Sequence, residues 1–294
     1  MKNIAIVGLG NWGKILLKEF DKKTNVSLCV TNGNKKNISW LRKNYPNIKH
    51  STDYNKILLD ESIDAVVIAT PISTHYNFIR DALNHKKHVF TEKPLSETLS
   101  TAKNLQSLAK KNNVCLFVGH IFIYHPILNK IKELIKNDHV YHVSMNWKKF
   151  GSFEESIFLN LVSHEISILL ELLGTPKKLY QISSESVISK SDLMLLKADY
   201  SKTCNAIITI NRISNYKEKS VLIISKNHYL FWQDYDLYEI NQKTREFKKI
   251  FHSNKKSLTL EINEFLKNMK NANSNSHNLQ LSIDTLKLIS KLMN

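Results

Sequence analysis

Ile4-Ala5-Ile6-Val7-Gly8-Leu9-Gly10-Asn11-Trp12-Gly13 is followed directly by Lys14-Ile15-Leu16-Leu17-Lys18-Glu19-Phe20. The first part is an apolar, β-branched run, the middle reads G-x-G-x-x-G, and the last has a helical period. Strand, glycine turn and helix in that order are what a dinucleotide pyrophosphate site requires. Gly8 allows the tight turn, Gly10 lets the backbone approach the phosphates, and Gly13 lets the helix pack close to the strand. The helix N-terminus then aims its free N–H groups at the anion. The chain holds only seven glycines, and three of them stand here at the required spacing.

Working outward, a second apolar run, Val26–Thr31, precedes Asn32-Gly33-Asn34-Lys35-Lys36. Further runs at 64–69, 87–91 and 114–118 alternate with helical patterns at 12–20, 36–44, 74–85 and 98–110. Runs such as Ala65-Val66-Val67-Ile68-Ala69 are apolar throughout, as expected of strands covered on both faces. Repeated βα units predict an α/β fold, a doubly wound parallel Rossmann sheet. After about residue 120 the pattern changes. A helix is expected near 126–137, a strand at Val140–Lys148 and a long helix near 157–173. Strands follow at 178–186, 193–200, 203–211, 219–225 and 228–233, joined by short polar turns that imply an open antiparallel sheet. Helices near 257–270 and 279–292 flank a polar loop, Asn271 to Asn278. The expected division is a dinucleotide-binding domain over 1–120 and an α+β substrate-binding and oligomerisation domain over 121–294.

Composition narrows the function classes. At 294 residues and 42% hydrophobic content the chain can bury a large core. No run approaches the ~20 apolar residues of a membrane span, and no signal peptide is evident. Cys29, Cys115 and Cys204 lie scattered in strand-like runs without metal-type spacing. They read as reduced, buried thiols, so no metal and a cytoplasmic location are expected. The net charge of +16 comes almost entirely from lysines spread along the chain; only Arg42, Arg80, Arg212 and Arg245 are arginines. Arginine is the residue that grips phosphates and base edges bidentately, so nucleic acid is not expected as a partner.

Ligands bind at the carboxyl ends of parallel strands, and three strand ends here carry polar or ionisable groups. They are Thr70-Pro71-Ile72-Ser73-Thr74-His75, Thr91-Glu92-Lys93-Pro94 and Gly119-His120. Together with the glycine turn, with His88-Val89-Phe90-Thr91-Glu92-Lys93-Pro94-Leu95 and with Asn160-Leu161-Val162-Ser163-His164-Glu165-Ile166-Ser167, these stretches resemble the glucose–fructose oxidoreductase / inositol dehydrogenase (Gfo/Idh/MocA) family. The resemblance implies a Rossmann domain followed by a domain with an open antiparallel sheet. It also implies reversible hydride transfer between NAD(P) and a carbinol or keto carbon of a sugar, cyclitol or nucleotide-linked sugar.

On that resemblance Lys93 sits at the nicotinamide–substrate junction, behind a Lys93–Pro94 bond expected to be cis, and His164 is the acid/base. Asn160 precedes His164 by four residues and shares its helix face, whereas Glu165 points roughly 100° away around the helix. Lys93, His120, Asn160 and His164 are the expected substrate contacts. The expected cofactor contacts are Gly8, Gly10, Asn11, Trp12, Gly13, Thr31, Asn32, Lys35, Thr70, Pro71, His75, Glu92 and Lys93. Trp147, Lys148, Arg212 and Tyr216 are candidates for the substrate wall. The strand-two end lacks the carboxylate that holds the ribose of NAD, and Thr31, Asn32 and Lys35 favour NADP. The family commonly has aspartate where Asn160 stands. Asparagine holds a hydroxyl but accepts no proton, which leaves a non-catalytic dinucleotide-binding sensor or scaffold as the alternative. The open sheet is expected to pair subunits into a homo-oligomer.

Overall fold

The computed structural model describes residues 1–271 and 276–293, which fall into two units. The first comprises Met1–Gly119 and Leu258–Ile283, the second His120–Ser257 and Asp284–Asn294. A division into two continuous stretches at 120/121 therefore misplaces residues 258–283. The reason is chemical: the apolar stripe of that late helix completes the core of the first unit.

The first unit alternates strand and helix as β1 (Asn3–Val7), α1 (Asn11–Asp21), β2 (Asn25–Val30), α2 (Lys35–Asn44), β3 (Lys49–Ser51) and α3 (Asn55–Leu58). It continues through β4 (Ala65–Ile68), α4 (Ile72–Asn84), β5 (His88–Glu92), α5 (Leu99–Asn112) and β6 (Leu116–Gly119). The sheet order is β3-β2-β1-β4-β5-β6 and every pair is parallel. This is the Rossmann order, with its topological switch point between β1 and β4. Strand β4 is buried at all four positions, which explains its uninterrupted Ala-Val-Val-Ile run. Three-residue β3 was not foreseen, because Lys49-His50-Ser51 has no apolar pattern to mark it.

In the second unit α6 (Pro126–Ile135) leads into the 11-residue strand β7 (Val140–Phe150), and α7 (Ser163–Leu173) follows. Strands β8 (Lys178–Glu185), β9 (Leu193–Asp199), β10 (Asn205–Asn211), β11 (Ile213–Ser225), β12 (Tyr229–Gln233), β13 (Asp236–Ile240) and β14 (Phe247–His252) complete it. They form one eight-stranded sheet, β14-β13-β12-β11-β7-β10-β9-β8. The sheet is mixed. All its pairs are antiparallel except β10 with β7, because β7 inserts between β10 and β11 and separates them. Val143, Met145 and Trp147 on β7 alternate inward with Ile208 and Ile210 on β10 and Val221 and Ile223 on β11, over apolar residues of α6 and α7. Burying this alternating face drives the layer together.

Helix α8 (Ser257–Asn268) carries Phe265 into the first unit, where its ring packs on Phe20, Phe90 and Phe117 with centroids 5.5–6.1 Å apart. Helix α9 (Ser276–Met293) closes the chain. Of the expected polar loop, Ser276–Asn278 is already helical and 272–275 lie outside the described residues. Among the described residues no helix is long and apolar enough to cross a membrane. Cys29, Cys115 and Cys204 are free and buried, and burial pushes the thiols of Cys29 and Cys115 up to about 12.

Candidate functional site

The glycine turn sits at the switch point, and its three glycines are held differently. Gly8 has φ +96°, and a Cβ there would lie 2.4 Å from the Ala69 carbonyl oxygen at the end of β4. At Gly13 a Cβ would lie 2.1 Å from the Gly8 carbonyl oxygen. These two are glycine because the turn is folded tightly on itself. Gly13 closes on the turn rather than on the strand. Gly10 has no atom within 4 Å of the Cβ position, so open space stands where the other two are clamped. It precedes the first turn of α1, which has no side-chain cap and no acidic residue. Helix N-termini left in this state favour anions. The residues present therefore fit a dinucleotide pyrophosphate: Gly10 gives it room, and the N–H groups of Asn11, Trp12 and Gly13 are there to hold it.

The neighbouring strand ends are tied to this turn. Thr70 touches the Cβ position of Gly8. His75 is only 2% exposed, its Nδ1 lying 3.0 Å from the Pro94 carbonyl and its Nε2 3.0 Å from the Thr70 carbonyl. Burial holds its imidazole below the ordinary range, against the two carbonyls that favour its charged form. The geometry makes His75 a tie between two loops, with both ring nitrogens already engaged. The Lys93–Pro94 bond is cis, as expected. The Glu92 carboxyl lies against Gly119, where a Cβ would be 3.0 Å from Oε1, and it accepts a hydrogen bond from the Trp12 indole. Burial pushes Glu92 up to about 7, while Trp12 and the Lys93 ammonium pull the other way.

Beneath it lies a residue that sequence reasoning missed. Glu261 on α8 is fully buried, and neither of its carboxyl oxygens has a hydrogen-bond partner among the described residues. Burial, with the Glu92 charge adding to it, raises its carboxyl well above the usual range.

At the end of β2 the Thr31 hydroxyl is engaged, 2.9 Å from His50 Nε2 and 3.2 Å from the Gly33 N–H that donates to it. Asn32 is exposed, and Asn34 caps α2 by accepting from the Asn37 N–H at 3.1 Å. Lys35 is exposed on the first turn of that helix.

The second unit holds His164. It follows a π-turn, Phe158–Val162, that contains Asn160 and runs into α7. Such widened turns recur at functional sites. The imidazole stacks on Trp147 at 4.9 Å and 30° and meets Phe122 edge-on at 5.0 Å. Trp147 on β7 pairs directly with Lys219 on β11, so both side chains point to the inner face. The Lys219 ammonium lies 3.9 Å from the Trp147 ring centre and 4.2 Å from that of Phe122. It is ion-paired with Glu165, whose side chain is fully buried. Burial pushes the Glu165 carboxyl up and the Lys219 ammonium down, each partly offset by the other. His120, 2% exposed, precedes the 3-10 turn Ile121–Tyr124 that carries Phe122.

Three wall candidates are not beside His164. Lys148 faces the opposite side of the sheet from Trp147, paired with Glu218 at 2.9 Å and donating to the Tyr216 hydroxyl at 3.1 Å. Arg212, 2% exposed, binds Asp192 at 3.0 Å and donates to the carbonyls of Ser152, Glu155 and Lys190. With its donors so committed, Arg212 is a staple of the loops around it.

A parallel sheet of this order with a glycine turn at its switch point defines a dinucleotide-binding Rossmann unit. Residues 2–120 match the family model described as "Oxidoreductase family, NAD-binding Rossmann fold" (GFO_IDH_MocA), so this unit is similar to that family. An uncharacterized oxidoreductase of Schizosaccharomyces pombe is 33% identical over 149 residues, covering 46% of this chain and 40% of that protein. A myo-inositol 2-dehydrogenase of Thermotoga maritima is 27% identical over 135 residues, again 46% and 40%. The chain thus spans well under two thirds of the length of these relatives. The structure of UDP-N-acetylglucosamine 3-dehydrogenase GnnA from Acidithiobacillus ferrooxidans superposes with a TM-score of 0.87. At 16% identity it covers 99% of this chain and 96% of that one, a likeness of fold.

Proposed function

We propose that the protein is an NAD(P)-dependent oxidoreductase acting on a carbinol or keto carbon of a sugar, cyclitol or nucleotide-linked sugar. The open room at Gly10 carries this reading, set between two clamped glycines at the N-terminus of α1. The sugar class is supported by the names of the inositol and UDP-N-acetylglucosamine dehydrogenases that the chain resembles. The nicotinamide, when bound, supplies or takes up the hydride.

The chain's own residues would do the rest. The turn from Gly8 to Gly13 binds the pyrophosphate, with Thr70, Pro71 and Glu92 beside it on the neighbouring strand ends. His75 acts indirectly, holding the Thr70 and Pro94 carbonyls in place. Lys93 polarises the substrate oxygen, and His164 takes up the hydroxyl proton on oxidation and returns it on reduction. Asn160 and His120 hold substrate hydroxyls. Exposed Lys35 and Asn32, with no carboxylate at the end of β2, favour NADP. Association into a homo-oligomer belongs to the same reading and is measured by sedimentation.

Titration of NADH and NADPH fluorescence, followed by turnover on 3-keto and 4-keto nucleotide sugars and on inositols, tests the proposal. Lys93→Ala and His164→Ala are expected to lower turnover by two or more orders of magnitude with the fold intact. Unchanged turnover in His164→Ala refutes the acid/base assignment. Asn160 favours one second reading, a dinucleotide-binding sensor. Tight cofactor binding with no turnover across the panel would establish it.

A further inference from the structure

We propose that the Lys219–Glu165 pair is a positioning device for His164, fixing its seat and its charge state from behind the Trp147 and Phe122 rings. The inference rests on the acid/base reading of His164 for its catalytic meaning, though the device itself is defined by geometry alone.

Three observations converge on it. First, the same two rings contact both groups. Trp147 and Phe122 each lie within 5.0 Å of the imidazole centre and within 4.2 Å of the Lys219 ammonium. The imidazole and the ammonium are thus at most about 9 Å apart. A unit charge at that distance shifts a titration by about one pH unit at the effective dielectric of protein interiors. Second, Lys219 occupies a position in phase with Val221 and Ile223, which point into the apolar core. A lysine there needs a reason, since leucine would pack at lower cost. Third, the partner that holds it is imperfectly satisfied. Glu165 Oε2 is buried and has no hydrogen bond among the described residues. A pair kept only for stability would have its lone pairs filled.

A charged pair shares the rings that seat the imidazole. α7 contributes Glu165, adjacent in sequence to His164, and β11 contributes Lys219. β7 and the 3-10 turn present the uncharged Trp147 and Phe122. The Lys148–Glu218 pair stands on the other face of the sheet. Asn160 brings no charge from the π-turn. The ammonium therefore disfavours an imidazolium and the Glu165 carboxylate favours one, so the pair holds opposing influences on a single proton.

The two variants must then differ. Glu165→Gln leaves the ammonium and lowers the titration midpoint of His164 by about one pH unit. Lys219→Met removes the ammonium, and the fully buried Glu165, without its partner, keeps its proton, so the midpoint stays within a few tenths of the parent, as it does in the double variant. Lys219→Arg keeps the charge and the midpoint. The midpoint is read by NMR of the imidazole C–H in the cofactor-free protein, with His164→Asn assigning the resonance and circular dichroism confirming the fold. No fall in Glu165→Gln, or an equal fall in Lys219→Met, overturns the proposal. If Lys219→Met does not fold, the direction of the Glu165→Gln shift decides by itself. The acid limb of the turnover profile should follow the NMR midpoints. Should His164→Ala retain activity while the midpoints still move, the acid/base reading falls and the positioning device stands.

Discussion

Glu261→Gln is expected to stabilise the first unit, and by an amount that grows with pH. Glu261 is fully buried beside Glu92, and both burial and the neighbouring charge keep its proton on. In the unfolded chain the same carboxyl ionises near its ordinary value of 4.5. The folded state therefore holds one more proton than the unfolded state over the whole interval between those two values. A carboxyl raised in this way contributes its stability fully below pH 4.5 and loses it as pH climbs toward the folded value. One proton corresponds to about 1.4 kcal/mol per pH unit, so the parent loses stability from this residue at up to that slope as pH rises above 4.5 toward the folded value. Glutamine has nearly the shape of the protonated acid and does not titrate. The difference in unfolding free energy should grow in the variant's favour from pH 5 to pH 7, with a slope of at most about 1.4 kcal/mol per pH unit. Urea melts at pH 5, 6 and 7, followed by tryptophan fluorescence, measure it directly. Taking the difference cancels titrating groups that do not interact with Glu261, such as His125, which burial lowers, whereas Glu92 interacts with it and contributes to the pH dependence. A difference that stays flat across those three pH values would refute the buried, proton-holding carboxyl.

The glycine turn offers a contrast within six residues. Gly10→Ala adopts an allowed backbone (φ −67°) with room for its methyl, so it should melt like the parent yet bind NADH and NADPH at least about tenfold more weakly. Gly13→Ala puts that methyl on the Gly8 carbonyl and should destabilise the unit before any ligand is added, as a lowered Tm would show. Phe265→Ala removes the ring packed on Phe20, Phe90 and Phe117 and should cost about 3–5 kcal/mol in urea unfolding. Lys35→Ala combined with Lys36→Ala should weaken NADPH more than NADH in fluorescence titration; equal losses would remove the NADP preference.

Local chemistry made the first unit legible from its residues. Apolar runs of four or five residues such as Ala65–Ile68 are strands because both faces are covered, and the glycine spacing marks the switch point. What escaped depends on distant partners. β3 forms because it pairs with β2, and Lys49-His50-Ser51 carries no signal of its own. β7 and β10 lie parallel through an insertion that turn residues do not announce. Arg212 and Lys148 read as wall residues because charged side chains near strand ends invite that assignment. Only the register shows that one is committed to Asp192 and the other faces away from Trp147. Helical spacing turns Glu165 about 100° away from His164, but its partner on β11, Lys219, has no signal in the sequence.

Buried charges in this chain divide by how completely they are bonded, and the division says what they are for. Asp192 accepts from the N–H groups of Val187, Ile188 and Ser189, from the Ser189 hydroxyl and from Arg212. Its carboxyl is held well below the usual range, chiefly by the Ser189 hydroxyl and those N–H groups against the cost of burial. Such a group is ionised at any working pH and can only hold structure. Glu261 and Glu165 are the opposite case: among the described residues no donor reaches either oxygen of Glu261 or the Oε2 of Glu165, whose Oε1 is held by Lys219. Each stands where an apolar residue would continue the pattern: Glu261 among Leu258, Ile262 and Phe265, Glu165 beside Ile166 on the buried face of α7. Each is also one step from a group proposed for chemistry in its own unit: Glu261 acts on Glu92, which precedes Lys93, and Glu165 follows His164. A carboxyl left short of donors in an apolar layer costs stability. Burial raises each carboxyl, opposed by Lys219 at Glu165 and reinforced by the Glu92 charge at Glu261, so each is sensitive to the charge beside it.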